Sequence, residues 1–206
     1  MLLWAGLCFL VLGVASFAVD RRAAHAVHGG VPRRVHRGLA RTTDWAKGAH
    51  WLTIALVTIA GTWLALHLFG ERDWLRIALT AALAFLASLA AGSLVLHAIK
   101  IVAGRRRPRD ELEHDLYGFR FFHLDTQYDS FPSGHAMTIF CVAVIAAGLF
   151  PAAWPLWFGL AFYLALTRAF MNAHFFSDVF IGSGVGLLAA RETVYYLFPA
   201  LFRPWF

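Results

Sequence analysis

Apolar residues in this chain come in long blocks separated by short polar breaks. Six blocks are evident: Leu2 to Val19, Ala49 to Phe69, Leu75 to Ile99, Pro132 to Phe150, Trp154 to Phe170, and a last one that opens near Phe175 or Asp178 and continues to Ala190. A helix that crosses a bilayer takes ~20 mostly apolar residues, so the pattern predicts an all-α integral membrane helical bundle with six transmembrane helices. Turn chemistry sits in the breaks. Gly70-Glu71-Arg72-Asp73 makes a tight turn, and Pro151 and Pro155 bracket another, because proline ends one helix and can open the next. Residues 20–48 are polar and basic, with Val35, Leu39, Thr42 and Ala46 at helical spacing beside Trp45. That pattern suits either a short amphipathic interfacial helix or a solvated connector. Near the N-terminus, Ser16-Phe17-Ala18 resembles a small-x-small cleavage site. No basic residue precedes the apolar run as a signal peptide requires, so the first block is read as a retained helix. Without repeats or low-complexity tracts, the chain reads as one domain over 1–206, with its motif-bearing core at about 75–200.

Composition narrows the class. Of 206 residues, 60% are hydrophobic and 15% charged, against ~45–50% apolar in a soluble domain. Mean hydropathy is +0.63. These values exclude an ordinary soluble globular domain, a disordered chain and a disulfide scaffold. The net charge of +6 suits nucleic acid, an anionic membrane surface or a phosphorylated ligand. Basic residues cluster at the ends of apolar runs, with no soluble module to present them, which sets nucleic acid aside. Cys8 and Cys141 lie inside apolar runs and are expected as buried free thiols.

Three polar clusters stand at block ends, where ionisable groups are costly and mark function. In the first, Lys100 is followed by Arg107-Pro108. Seven residues at ~100° each bring the two cations within ~20° of one helix face, about 10 Å apart along the axis. They can hold an oxyanion between them, or end a span and snorkel to headgroups. The second cluster is Pro132-Ser133-Gly134-His135. Proline suits a first helical turn, glycine permits close approach, and free amides beside a serine hydroxyl make an anion site. His135 is placed one residue deeper to donate a proton; the plainer reading is a helix cap with an interfacial histidine. The third cluster is Arg168, His174 and Asp178. On a helix, His174 and Asp178 at i, i+4 share a face. A carboxylate bonded to one ring nitrogen fixes the tautomer and leaves the other as base or nucleophile. The same pair can ligate zinc, but His135 would have to be the third ligand and the nearby arginines repel a metal cation, so neither a metal nor another cofactor is expected. A six-span threading puts all three clusters on one side of the membrane. Three cations and a helix N-terminus around two histidines describe a phosphate site with a nucleophile and an acid.

Lys-x6-Arg-Pro, Pro-Ser-Gly-His and Arg-x5-His-x3-Asp, in this order, resemble the three signature motifs of the type 2 phosphatidic acid phosphatase family, whose superfamily includes glucose-6-phosphatase and the vanadium haloperoxidases. Ten specified positions match between residues 100 and 178. Thr167 stands where the family usually has serine and keeps the hydroxyl. The resemblance implies a metal-independent phosphatase in which His174 attacks phosphorus to form a phosphohistidine, Asp178 orients His174, and His135 protonates the leaving oxygen and then activates water. It also implies that Lys100, Arg107, Arg168, Ser133 and the Gly134 amide bind the phosphoryl oxygens. Substrates would be phosphatidate-, prenyl-diphosphate- or lipid A-like lipids reached laterally from the bilayer. A lipid phosphotransferase shares the same residues; a haloperoxidase or a non-catalytic lipid-binding or transport protein fits less well.

Sidedness is where two expectations diverge. Thirteen of the 18 basic residues lie on the motif side: seven in 20–48, and Lys100, Arg105, Arg106, Arg107, Arg109 and Arg120. The positive-inside rule would turn that face to the cytoplasm. Family resemblance implies a bacterial inner-membrane protein whose site faces the periplasm, and that is the orientation expected here.

Overall fold

In a bilayer every backbone amide must find its partner within its own segment, so apolar blocks become helices. The computed structural model describes residues 1–122 and 125–206. Along the chain run α1 (Leu2–Ser16), α2 (Asp20–Gly30), α3 (Arg33–Thr43), α4 (Gly48–Phe69), α5 (Asp73–Ala103), α6 (Pro108–His114), α7 (Gly134–Leu149), α8 (Trp154–Phe170) and α9 (Phe176–Leu197). Helices α1, α4, α5, α7, α8 and α9 occupy the six apolar blocks. At the centre is α9, packed by α1, α5 and α7; α8 flanks α7, and α4 lies outermost against α5.

Small residues bring the central helices together, as they do where lipid offers no hydrophobic drive for association. A Cβ at Gly182 would sit 2.3 Å from the Ser133 carbonyl oxygen, and one at Gly186 would sit 2.2 Å from that of Met137. Backbone touches backbone along the α7–α9 seam. The outward surface is apolar: Val11 and Val14 on α1, Val57, Trp63 and Leu68 on α4, and Leu94 on α5 are all exposed. So large an apolar exterior is solvated by lipid, and the chain is an integral membrane protein.

Two helical stretches, Arg34–Phe69 and Asp73–Ala103, are each long and apolar enough to cross a bilayer. The 16 residues of α7 run about 24 Å, short of a hydrocarbon core of about 30 Å. The first block is not one straight helix: α1 stops at Ser16, and α2 leaves at an angle of 85°. Residues 20–48 form two helices rather than one, because Pro32 breaks the segment and opens α3. Cys141 is buried, but Cys8 is exposed on the outer side of α1, where an apolar position faces lipid instead of the core. His123 and Leu124, within the stretch between α6 and α7, lie outside the described residues.

Candidate active site

The site is built where α5, α7, α8 and α9 end on one side of the bundle. Helix α5 stops at Ala103 because Gly104 adopts a left-handed conformation (φ 50°), which glycine does without steric penalty. Arg107 therefore does not continue the face of Lys100, as an unbroken helix would have it. The two cations meet instead through Asp129: Lys100 Nζ donates to its backbone carbonyl, and Arg107 Nε and Nη2 donate to its Oδ1 at 2.9 and 2.7 Å.

Ser133 is the N-cap of α7, its Oγ accepting from the Ala136 amide at 3.4 Å, and its own amide donates to the Asp178 carbonyl at 2.9 Å. Capping and closeness to the third motif thus coexist in one residue. Gly134 and His135 form the first turn of α7, and His135 lies within electrostatic reach of Arg168, His174, Arg107 and Lys47. On α8, the Arg168 carbonyl accepts from the amides of Ala173 (3.0 Å) and His174 (3.2 Å). Asn172 turns the chain with φ 51°, a conformation asparagine tolerates better than most residues. That tight reversal is the physical content of the Arg-x5-His spacing. The Arg168 guanidinium donates through Nη1 to Thr43 Oγ1 at 3.2 Å, while its buried Nε has no partner among the described residues.

His174 is not on a helix with Asp178; it precedes α9, and Asp178 is the third residue of that helix. Nor does the carboxylate bond the ring directly. His174 Nδ1 faces the Ser130 carbonyl at 2.8 Å, and Asp178 Oδ2 is 3.7 Å away, beyond hydrogen-bond range. A carbonyl only accepts, so Nδ1 carries the proton and Nε2 keeps the lone pair. Burial pushes His174 below its ordinary pKa, with the charges of Arg107 and Arg168 adding to that and the Asp178 carboxylate opposing it.

The Asp178 oxygens are engaged elsewhere. Oδ2 accepts from Ser130 Oγ (2.6 Å) and the Phe175 amide (2.8 Å), the latter a capping-box contact at the start of α9. Oδ1 accepts from Arg105 Nη1 at 2.6 Å. Arg105 is fully buried and binds Asp20 Oδ2 (2.8 Å), Ser177 Oγ (2.6 Å) and the Tyr117 hydroxyl (2.9 Å), with its guanidinium 4.0 Å from the Phe175 ring centroid. Sequence reasoning gave Asp20, Ser130 and Asp129 no role, and it counted Arg105 only among the surface cations that meet anionic lipid, whereas the structure buries it against Asp20 and Asp178. An acid directly after an 18-residue apolar run was the one available signal for Asp20.

A cleft of about 480 Å³ opens beside Arg107 and the turn before His174, lined also by His28, His36, Arg109 and Asn172. An apolar groove of about 510 Å³ runs between α4, α7 and α8, walled by Trp45, Trp51, Trp157 and Tyr163. Among the described residues, no group of three or more histidine, cysteine or acidic side chains is placed to hold a metal ion.

With this geometry in view, a family model described as the PAP2 superfamily matches residues 81–202, more than half of the chain and all three clusters. The chain belongs to the PAP2 superfamily. Two lipid A 1-phosphatases, from Rhizobium johnstonii and Rhizobium etli, are each 32% identical to this PAP2 chain over 93 residues, 45% of it. The matched part spans only 38% and 40% of those relatives. Two solved structures share the fold. Aquifex aeolicus LpxE aligns with TM-score 0.59 at 14% identity over 86% of this chain and 96% of its own. The transmembrane PAP2-type phosphatidylglycerolphosphate phosphatase of Bacillus subtilis aligns with TM-score 0.61 at 19% identity over 92% of both.

Proposed function

We propose that this PAP2 chain is a lipid phosphatase that hydrolyses a phosphomonoester or diphosphate through a phosphohistidine on His174. The observation that carries the reading is the His174 ring, whose Nδ1 proton is committed to the Ser130 carbonyl. Its nucleophilic lone pair is therefore on Nε2. Nε2 attacks phosphorus as the P–O bond to the lipid breaks, and His135 gives its proton to the leaving oxygen. Water then attacks the phosphohistidine, returning its proton to His135 and releasing inorganic phosphate. Asp178, 3.7 Å from Nδ1, stabilises the positive charge that the ring develops. Lys100, Arg107, Arg168, Ser133 and the Gly134 amide would bind the phosphoryl oxygens; the unpartnered Arg168 Nε is a donor suited to such an oxyanion. Phosphoryl transfer is chiefly positioning and charge stabilisation, and these cations supply it without a metal.

A lipid substrate is favoured by the polar cleft at Arg107 together with an apolar groove on the same bundle. The relatives named lipid A 1-phosphatase add weight to a lipid A-like phosphate over phosphatidate or a prenyl diphosphate. The whole of 1–206 acts as one domain threaded six times, in a bacterial inner membrane with the site facing the periplasm. The test is phosphate release by purified protein across a panel of membrane lipids, with chelator and with vanadate. Release that survives chelator and stops with vanadate is expected. No release from any lipid, or activity that chelator abolishes and zinc or magnesium restores, overturns the reading.

A further inference from the structure

Two sets of arginines in this protein differ in their partners. Those of residues 105–109 each meet a carboxylate: Arg105 with Asp20 and Asp178, Arg106 and Arg109 with Asp110, and Arg107 with Asp129. Arg34, Arg37 and Arg41 on α3 are exposed and have no partner among the described residues. From Arg21 to Thr43 the chain holds not one acidic residue. At ~100° per residue, Arg34 and Arg41 lie ~20° apart and Arg37 within ~60° of both, so the three make one stripe. Thr43, nine residues from Arg34, points ~180° away from it on the same helix. It is buried against α8, where it bonds both Thr167 Oγ1 (2.9 Å) and Arg168 Nη1 (3.2 Å).

The surroundings specify what the stripe meets. The helical stretch Arg34–Phe69 continues into the membrane, and Trp45, 61% exposed, stands between the arginines and the span. Tryptophan favours the headgroup level, which puts Arg41 about one helical turn outside that level, Arg37 about two and Arg34 about three. An arginine near an anionic surface is worth about fivefold in partition, through attraction that salt screens. Cations without protein counter-charges, held at that depth, are complementary to phosphoryl headgroups.

We propose that α3 is a docking helix for anionic lipid: Arg34, Arg37 and Arg41 seat it on the headgroups of the surrounding bilayer, and Thr43 on its opposite face transmits that seating to Arg168. The protein is then more active in an anionic bilayer than in a zwitterionic one. It also follows that the basic residues of α3 are held for lipid contact, so they need not mark a cytoplasmic face. The docking stands on α3 alone, while its effect on turnover rests on the phosphate-site reading above.

The experiment uses the full chain in phosphatidylcholine nanodiscs with and without phosphatidylglycerol, reading amide exchange of residues 34–43 and kcat on a water-soluble aryl phosphate. An anionic bilayer repels that substrate, so a rise in kcat cannot come from steering. Exchange several-fold slower and kcat several-fold higher with phosphatidylglycerol are expected. Both responses should vanish in Arg34→Gln/Arg37→Gln/Arg41→Gln, persist when the three are lysine, and fade in high salt. Thr43→Val should keep the protection and lose the kcat response. Equal exchange in the two discs, or protection that survives the glutamine variant, overturns the docking. Protection with unchanged kcat overturns the link through Thr43. If no disc supports turnover while α3 is still protected, the docking stands and the phosphatase reading fails.

Discussion

At His174 the proton is placed before any substrate arrives: a backbone carbonyl holds Nδ1–H, and Asp178 supplies charge from 3.7 Å without taking part in that bond. His174→Ala should therefore abolish turnover on every substrate. His135→Ala should cost roughly 10²–10⁴-fold on alkyl phosphates and much less on an aryl phosphate, whose leaving oxygen needs no proton. Equal losses on both substrates would overturn the two roles. The lowered pKa of His174 has a sign that pH profiles read. Protonation removes the nucleophile, so kcat/KM falls as pH drops through that pKa, and this acid limb should lie below the ordinary histidine value of 6.5. Arg168→Gln removes a positive neighbour, favours the protonated ring and should move the limb to higher pH; the second ionisation of the substrate is common to both enzymes and cancels. Arg105 is the residue whose loss should cost most in stability. Arg105→Met leaves Asp20 and Asp178 as buried charges without their counter-ion, a penalty of about 3–5 kcal/mol. Thermal unfolding in detergent should show it, with a smaller drop for Asp20→Asn.

The helices show how far spacing alone can carry a reading. All six apolar blocks became helices, and the charged members of the three clusters come within reach of one another, because long apolar runs leave no alternative to helix and because Pro, Ser and Gly mark a helix start by local sterics. Two geometric inferences failed for one reason: both assumed an unbroken helix. Gly104 ends α5 before Arg107, and His174 stands outside α9, so neither pair shares a helical face. The buried cluster of Asp20, Arg105 and Asp178 was illegible because its members are joined only by tertiary contact, 85 and 73 residues apart, with no periodic trace. The α7–α9 seam offers the test at this scale. Gly182→Ala drives a methyl into the Ser133 carbonyl, and overpacking of this kind costs typically 1–3 kcal/mol. Because Ser133 belongs to the second motif, activity should fall more steeply than stability. Gly159→Ala, with nothing within 4 Å of the added carbon, should leave both unchanged or slightly raise the unfolding temperature.

For the whole molecule, sidedness is the property to measure. Single cysteines at Ala26 and Ala200, both exposed, in a background lacking Cys8 and Cys141, would report on opposite faces if the bundle is threaded six times as proposed. In intact cells an impermeant thiol reagent should label position 26 and spare position 200; the reverse pattern would put the site in the cytoplasm. The buried cluster around Arg105 also bears on how the protein is made. Asp20 is translated early and Asp178 late, with Ser177 bonded to Asp20 across 157 residues. While the ribosome is still working on the later helices, Arg105 has only one of its two acids and the ring of His174 does not yet exist. The bundle cannot acquire its chemistry piecemeal as each helix enters the membrane. The site is complete only once α9 brings Asp178 to Arg105 beside Asp20, at the first elbow of the chain.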